Sequence, residues 1–187
     1  MYHERQSTFM CGKHALNCLF ANAELERTIP LVTKSDMEVN ANELYGELKR
    51  LGTTPWVSPY NWPLGLGNYD VTVLMKTAAQ KDVEIGYLKA DEILNALEKM
   101  EKDRYILGLL LNVKSSSLFG LVRTRHWYAI LYHHKLGGFF NVDSKLEKPC
   151  ALTEKECVNH INNAISSLDA SVLRVTYLRE SAALNPS

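Results

Sequence analysis

The order in which two hydrophobic periods run along this chain constrains its fold most. Helical spacing fills the first half and strand alternation gathers in the second. Ala15, Leu16, Leu19 and Phe20 recur at three- and four-residue intervals, which predicts a helix over residues 11–22 with Ser7 and Thr8 as caps. Leu44, Tyr45, Leu48 and Leu51 predict a second over 42–51, stopped by Gly52. Asp70 is placed to cap a third over 71–81. A fourth, over 90–101, turns Ile93, Leu94, Leu97 and Met100 inward. Residues 83–88 alternate as a short strand, and 105–113 read as a buried one. Residues 114–125 read as a loop. Residues 126–133 alternate and are rich in aromatics, and Lys135-Leu136-Gly137-Gly138 turns them into a return strand over 139–142. Thr153 and Glu156 have capping-box spacing for a helix to about 168, and 171–178 form a last strand. Helices first and strands later predict an α+β fold with a largely antiparallel sheet, not an array of strand–helix–strand units.

The chain has 187 residues, 46% of them apolar and 22% charged, which suits one globular domain over residues 1–180 with a frayed tail at 181–187. One stretch departs from the pattern. Residues 53–67 hold Pro55, Pro59 and Pro63 among Trp56, Tyr60 and Trp62, and that proline density forbids a regular helix. These aromatics either pack back onto the domain or offer a partner surface.

Charge and cysteine usage exclude several classes. Lys plus Arg is 21 and Asp plus Glu is 21, so there is no basic excess for nucleic acid. No apolar run approaches a membrane span, and the N-terminus has no signal-like apolar stretch. Four cysteines are too few for a disulfide scaffold, so free thiols in a reducing, cytoplasmic setting are expected. Gly65 and Gly67 precede no phosphate-loop lysine. His133 and His134 with Cys150 or Cys157 fit no zinc spacing, so neither metal nor cofactor is expected.

Three residues suggest nucleophilic chemistry when taken together. Cys11 stands at a helix start, where free N–H groups stabilise a thiolate; alone, it is more often a buried inert thiol. His126 opens a strand and Asp143 ends the next, so an antiparallel pairing brings them together, and an Asp there fixes the imidazole tautomer. Alone, the histidine is a core or surface residue and the aspartate a turn residue. A Cys, His, Asp set in this chain order matches the general layout of papain-like thiol hydrolases. Gln6, five residues before Cys11, has an amide able to donate to a tetrahedral oxyanion.

These residues lie in motifs that resemble those of Josephin domains, in family order. The opening Tyr2-His3-Glu4-Arg5-Gln6 and Cys11-Gly12-Lys13-His14-Ala15-Leu16-Asn17 are similar to the family's first motif. Gly67-Asn68-Tyr69-Asp70-Val71 resembles one found in its short, free-standing members. His126-Trp127 and Phe140-Asn141-Val142-Asp143-Ser144-Lys145-Leu146 resemble the remaining two. Cys18 and Gly12 depart from the family's usual Asn and Ala.

The resemblance implies a papain-like cysteine protease fold and a deubiquitinase. Cys11 would be the nucleophile, His126 the base and then acid, Asp143 the orienting residue and Gln6 the oxyanion donor. The family's variable helical arm maps onto 24–66, so Trp56, Tyr60 and Trp62, with Trp127, are expected on the substrate side. The expected partner is ubiquitin or polyubiquitin conjugates, engaged by a monomer without nucleic acid, and the bond cleaved is isopeptide or ester. The alternative from another class is a ubiquitin-binding module with little or no turnover until activated.

Overall fold

The computed structural model describes residues 1–6, 9–52, 56–60, 69–117 and 122–179, with 116, 117, 122 and 123 described by backbone alone. The proposed caps Ser7 and Thr8, Trp62 and the tail at 181–187 lie outside the described residues.

The sheet is built around two long strands. β2 (Ile106–Ser117) and β3 (Val122–His133) pair antiparallel, with Leu110 opposite Ala129 and Val113 opposite His126. β1 (Val83–Leu88), β4 (Gly138–Asn141), β5 (Cys150–Leu152) and β6 (Ser171–Tyr177) complete the order β1-β6-β2-β3-β4-β5. Every pairing is antiparallel. Helices cover both faces. α1 (Cys11–Ala21) and α3 (Val71–Ala79) share one apolar cluster with Leu110, Trp127, Ala129 and Leu131. α4 (Ile93–Lys102) and α5 (Glu154–Leu168) share another with Leu109, Leu111, Tyr128 and Ile130. Double coverage explains why 105–111 lacks polar alternation: Leu109, Leu110 and Leu111 are all fully buried. Each such burial contributes about 1.5–3 kcal/mol. The α+β expectation holds, with helices leading and an antiparallel sheet following.

α2 (Lys34–Arg50) belongs to the expected arm and starts eight residues earlier than the apolar spacing implied. Its start is chemical rather than periodic: Thr33 and Asp36 form a reciprocal capping box. It packs on α3 through Met37 and Ala41, and through Asn40, which bonds Thr77 and Gln80.

Four local expectations are corrected. Residues 114–117 and 122–125 are no loop; they are the outer part of the β2–β3 ribbon. Their polar side chains break the apolar alternation because β6 stops at Ser171, opposite Asn112, and leaves the ribbon without that sheet neighbour. Leu94 points outward, since a 3₁₀ turn at Ala90–Glu92 resets the phase and leaves Ile93, Ala96, Leu97 and Met100 buried. α1 has Met10 at its N-cap, and the Met10 side chain makes no cap bond. β5 was not anticipated; at three residues it is too short for a pattern. No helix among the described residues is long and apolar enough to cross a membrane.

Candidate active site

α1 begins at the sheet with its N-terminal end against β3. Cys11, its first residue, is 4% exposed, and its Sγ accepts from the backbone N–H of Trp127 at 3.4 Å. Gly12 sits close to its neighbours: a Cβ there would meet Leu74 Cδ2 at 2.9 Å, so the end of that leucine side chain would have to shift.

His126, one residue before Trp127 on β3, faces both Cys11 and Asp143. Its Nε2 lies 2.7 Å from Asp143 Oδ1. Burial disfavours the imidazolium, but the hydrogen bonds and charge of Asp143 and Cys11 outweigh burial and raise the pKa above the ordinary histidine value. Asp143 shows the mirror effect. Burial pushes its carboxyl up, and the His126 bond and charge with the Lys145 N–H bring it below the ordinary value.

The chain turn that delivers Asp143 is tightly held. Val142 N–H donates to Ala129 O, and Asp143 N–H donates to Asn141 Oδ1. Beneath the imidazole lies the Tyr128 ring, centroids 6.1 Å apart and 20° between planes. The Tyr128 hydroxyl is hydrogen-bonded to His160 Nε2 at 3.0 Å, and burial lowers the pKa of that imidazole. On the other side of His126, Arg125 donates to Asn112 and to the Asp169 carbonyl, fixing β3 to the end of α5.

Gln6 is half-buried beside the same turn. Its backbone N–H donates to Ser144 O at 2.8 Å, and Ser144 Oγ donates to its Oε1 at 3.5 Å. Of the aromatics, Trp56 is 102% exposed, whereas Tyr60 packs partly against the α1 cluster. Trp127 is 3% exposed, with its indole N–H on Tyr69 O at 3.3 Å. It therefore underlies the site and carries the N–H that meets Cys11, rather than offering free surface.

One half-buried group was missed by sequence reasoning. Glu4 accepts from Tyr2 Oη and Asn17 Nδ2 through Oε1, and from Lys13 Nζ and His14 Nδ1 through Oε2. Burial alone would raise its pKa, but these bonds pull it down to about 2. The signal was present in the sequence: Lys13, His14 and Asn17 lie on one face at helical spacing, with an acid shortly before the helix. Among the described residues no group of three His, Cys, Asp or Glu side chains is arranged to hold a metal ion.

Comparison with known proteins bears on this geometry. The Josephin family profile matches residues 6–176. A Josephin-like protein of Drosophila melanogaster is 31% identical over 164 residues, 83% of this chain and 65% of that protein. Josephin-2 of Homo sapiens is 31% identical over 163 residues, 84% of this chain and 76% of that protein. A Josephin-like protein of Arabidopsis thaliana is 27% identical over 176 residues, 90% of this chain and 45% of that protein. The chain thus spans just under two thirds of the fly relative and under half of the plant one.

Proposed function

The chain belongs to the Josephin family of cysteine deubiquitinases, which implies a papain-like fold and ubiquitin binding, and on that premise we propose that it is a thiol hydrolase cleaving the isopeptide or ester bond after the C-terminal glycine of ubiquitin. The observation that carries the proposal is the convergence of Cys11, His126 and Asp143 from a helix start, a strand and the turn after the next strand. Residues 1–180 form one catalytic domain in this proposal, with 24–66 as its arm.

The chemistry follows from the contacts. Asp143 occupies Nε2 of His126 and so fixes the tautomer that leaves Nδ1 for the sulfur. His126 takes the Cys11 proton, and its raised pKa favours the imidazolium beside the thiolate. The positive end of the α1 dipole and the Trp127 N–H stabilise that thiolate. Sulfur attacks the glycine carbonyl; the oxyanion is met by the Gln6 amide and the Cys11 N–H. His126 then protonates the departing amine or alcohol and deprotonates the water that releases the thioester. Because Cys11 and His126 are each about nine-tenths covered or more, the site suits an extended chain ending in glycines. Exposed Trp56 and half-buried Tyr60 are the proposed arm contacts to the body of ubiquitin.

The test is cleavage of a lysine-linked ubiquitin conjugate by wild type, Cys11→Ala and His126→Ala, with binding measured for each. Cleavage lost in both variants supports the proposal. Binding without cleavage by the folded wild type would instead favour a ubiquitin-binding module.

A further inference from the structure

We propose that Glu4 is a positioning residue for the reaction: it straps the N-terminal segment along α1 so that Gln6 arrives at the oxyanion. The inference rests on the deubiquitinase assignment above and concerns a half-buried acid that its mechanism does not use.

The strap can be followed contact by contact. Tyr2 N–H donates to Asn22 Oδ1 and Asn22 Nδ2 donates to Tyr2 O, both at 2.8 Å, at the far end of α1. Glu4 N–H donates to Cys18 Sγ at 3.5 Å, one turn nearer Cys11. The Glu4 carboxylate then reaches Asn17, His14 and Lys13, at 3.0, 2.5 and 2.9 Å. The segment therefore runs along α1 toward its N-terminal end. An extended residue advances about 3.3–3.6 Å and a helical one about 1.5 Å. Two further residues advance the chain about 7 Å, between four and five helical residues past Cys18, and so bring Gln6 alongside the first turn of α1, which Cys11 opens. The opposite side of the strap is fixed to the Asp143 turn, by His3 Nε2 at 3.0 Å from Asp143 O and by the Gln6 N–H on Ser144 O.

Glu4 is the hub because a carboxylate has about four acceptor sites and here four donors meet it. Glutamine cannot replace it. Its amide nitrogen would face Lys13 and His14, or Tyr2 and Asn17, with donor against donor.

An oxyanion donor acts only in the transition state, so its misplacement lowers kcat and spares KM. Gln6→Ala should lower kcat by about 10²–10³-fold. Glu4→Gln should lower it by about 10–10²-fold, the effect of a misplacement near 1 Å, with KM within about twofold. In the Gln6→Ala background Glu4→Gln should cost nothing further, because the group it positions is gone. A purely structural role would not produce that cancellation.

The experiment is steady-state hydrolysis of a ubiquitin–lysine conjugate by wild type, the two single variants and the double, with circular dichroism of each. A Glu4→Gln loss that multiplies undiminished onto Gln6→Ala overturns the inference, as does a rise in KM alone. Glu4→Gln indistinguishable from an active wild type refutes this inference and leaves the enzyme assignment standing. A folded wild type with no turnover refutes the assignment itself, and the inference with it. Should Glu4→Gln not fold, Lys13→Met removes a single donor at the rim of the same hub. Its loss, about threefold or more, must likewise vanish in Gln6→Ala.

Discussion

Replacing Gly108 by alanine tests how the nucleophile helix is seated on the sheet. Gly108 sits at the irregularity in the β2–β6 register with φ of +154°. A Cβ there would lie 2.5 Å from Ile130 O, on β3, and 2.6 Å from Leu19 Cδ2, on α1. The carbonyl belongs to a paired strand and Leu19 is fully buried, so neither has free room. Overpacking costs about 1–3 kcal/mol and the strained φ about 1–3 kcal/mol. The stiffer unfolded chain returns only about 0.4–1 kcal/mol. A net loss of about 2–4 kcal/mol is expected. With a urea slope near 2 kcal/mol/M, the unfolding midpoint falls by about 1–2 M at unchanged slope. Leu19→Ala in the same chain should relieve part of the clash, so the two losses fall short of additive by about 0.5 kcal/mol or more. The contact also lies between the elements that carry Cys11 and His126. A displacement approaching 1 Å would slow Cys11 acylation by up to about 10²-fold. A midpoint within about 0.3 M of wild type, or full additivity with Leu19→Ala, would refute the reasoning.

Asp143→Asn keeps an acceptor for His126 but removes the charge that helps hold its proton, so the alkaline limb of the pH–rate profile should move to lower pH; an unmoved limb contradicts the pairing. The same pair gives a stability signature. His126 is raised above 6.5, so its contribution is full below pH 6.5 and lost as pH rises through the raised value; Asp143 is lowered from 3.8, so its contribution is full above pH 3.8 and lost as pH falls through the lowered value. Urea midpoints should therefore separate wild type from Asp143→Asn most between pH 3.8 and 6.5. Trp56→Ala should raise KM for a ubiquitin substrate several-fold, with stability within about 0.5 kcal/mol, because the side chain is fully exposed. Thr33→Ala removes one half of the α2 capping box, for a loss of about 0.5–2 kcal/mol, and hydrogen exchange should quicken in the first turn of α2 while β2 is unchanged.

Much of the fold was legible because local chemistry and tertiary demand agree in it. Asp70 and the Thr153–Glu156 box cap α3 and α5 as their sequences indicate, and Gly137 takes the positive φ of the β3–β4 turn. The misses share a cause. The outer ribbon is held by backbone pairing beyond the sheet's neighbours, and Lys114, Ser115, Thr124 and Arg125 in it are not buried, so no apolar alternation marks them. α2 opens with a polar capping box before any apolar residue recurs. The Cys11, His126 and Asp143 grouping was legible through strand topology, since Asp143 follows the strand paired with the one that carries His126. The Trp127 N–H on Cys11 and the Glu4 hub were not, because each depends on how closely a helix or segment lies against its support.

The central claim is that Cys11 is a nucleophile activated by His126 and directed at ubiquitin. Its most direct measurement is exposure of the protein to ubiquitin bearing a C-terminal electrophile, with the adduct mapped by mass spectrometry in wild type, Cys11→Ala and His126→Ala. The expected result is one ubiquitin on Cys11 of the wild type, none on Cys11→Ala and a strongly slowed reaction in His126→Ala. A folded wild type that forms no adduct, or one that labels Cys18, Cys150 or Cys157 as readily, would contradict it.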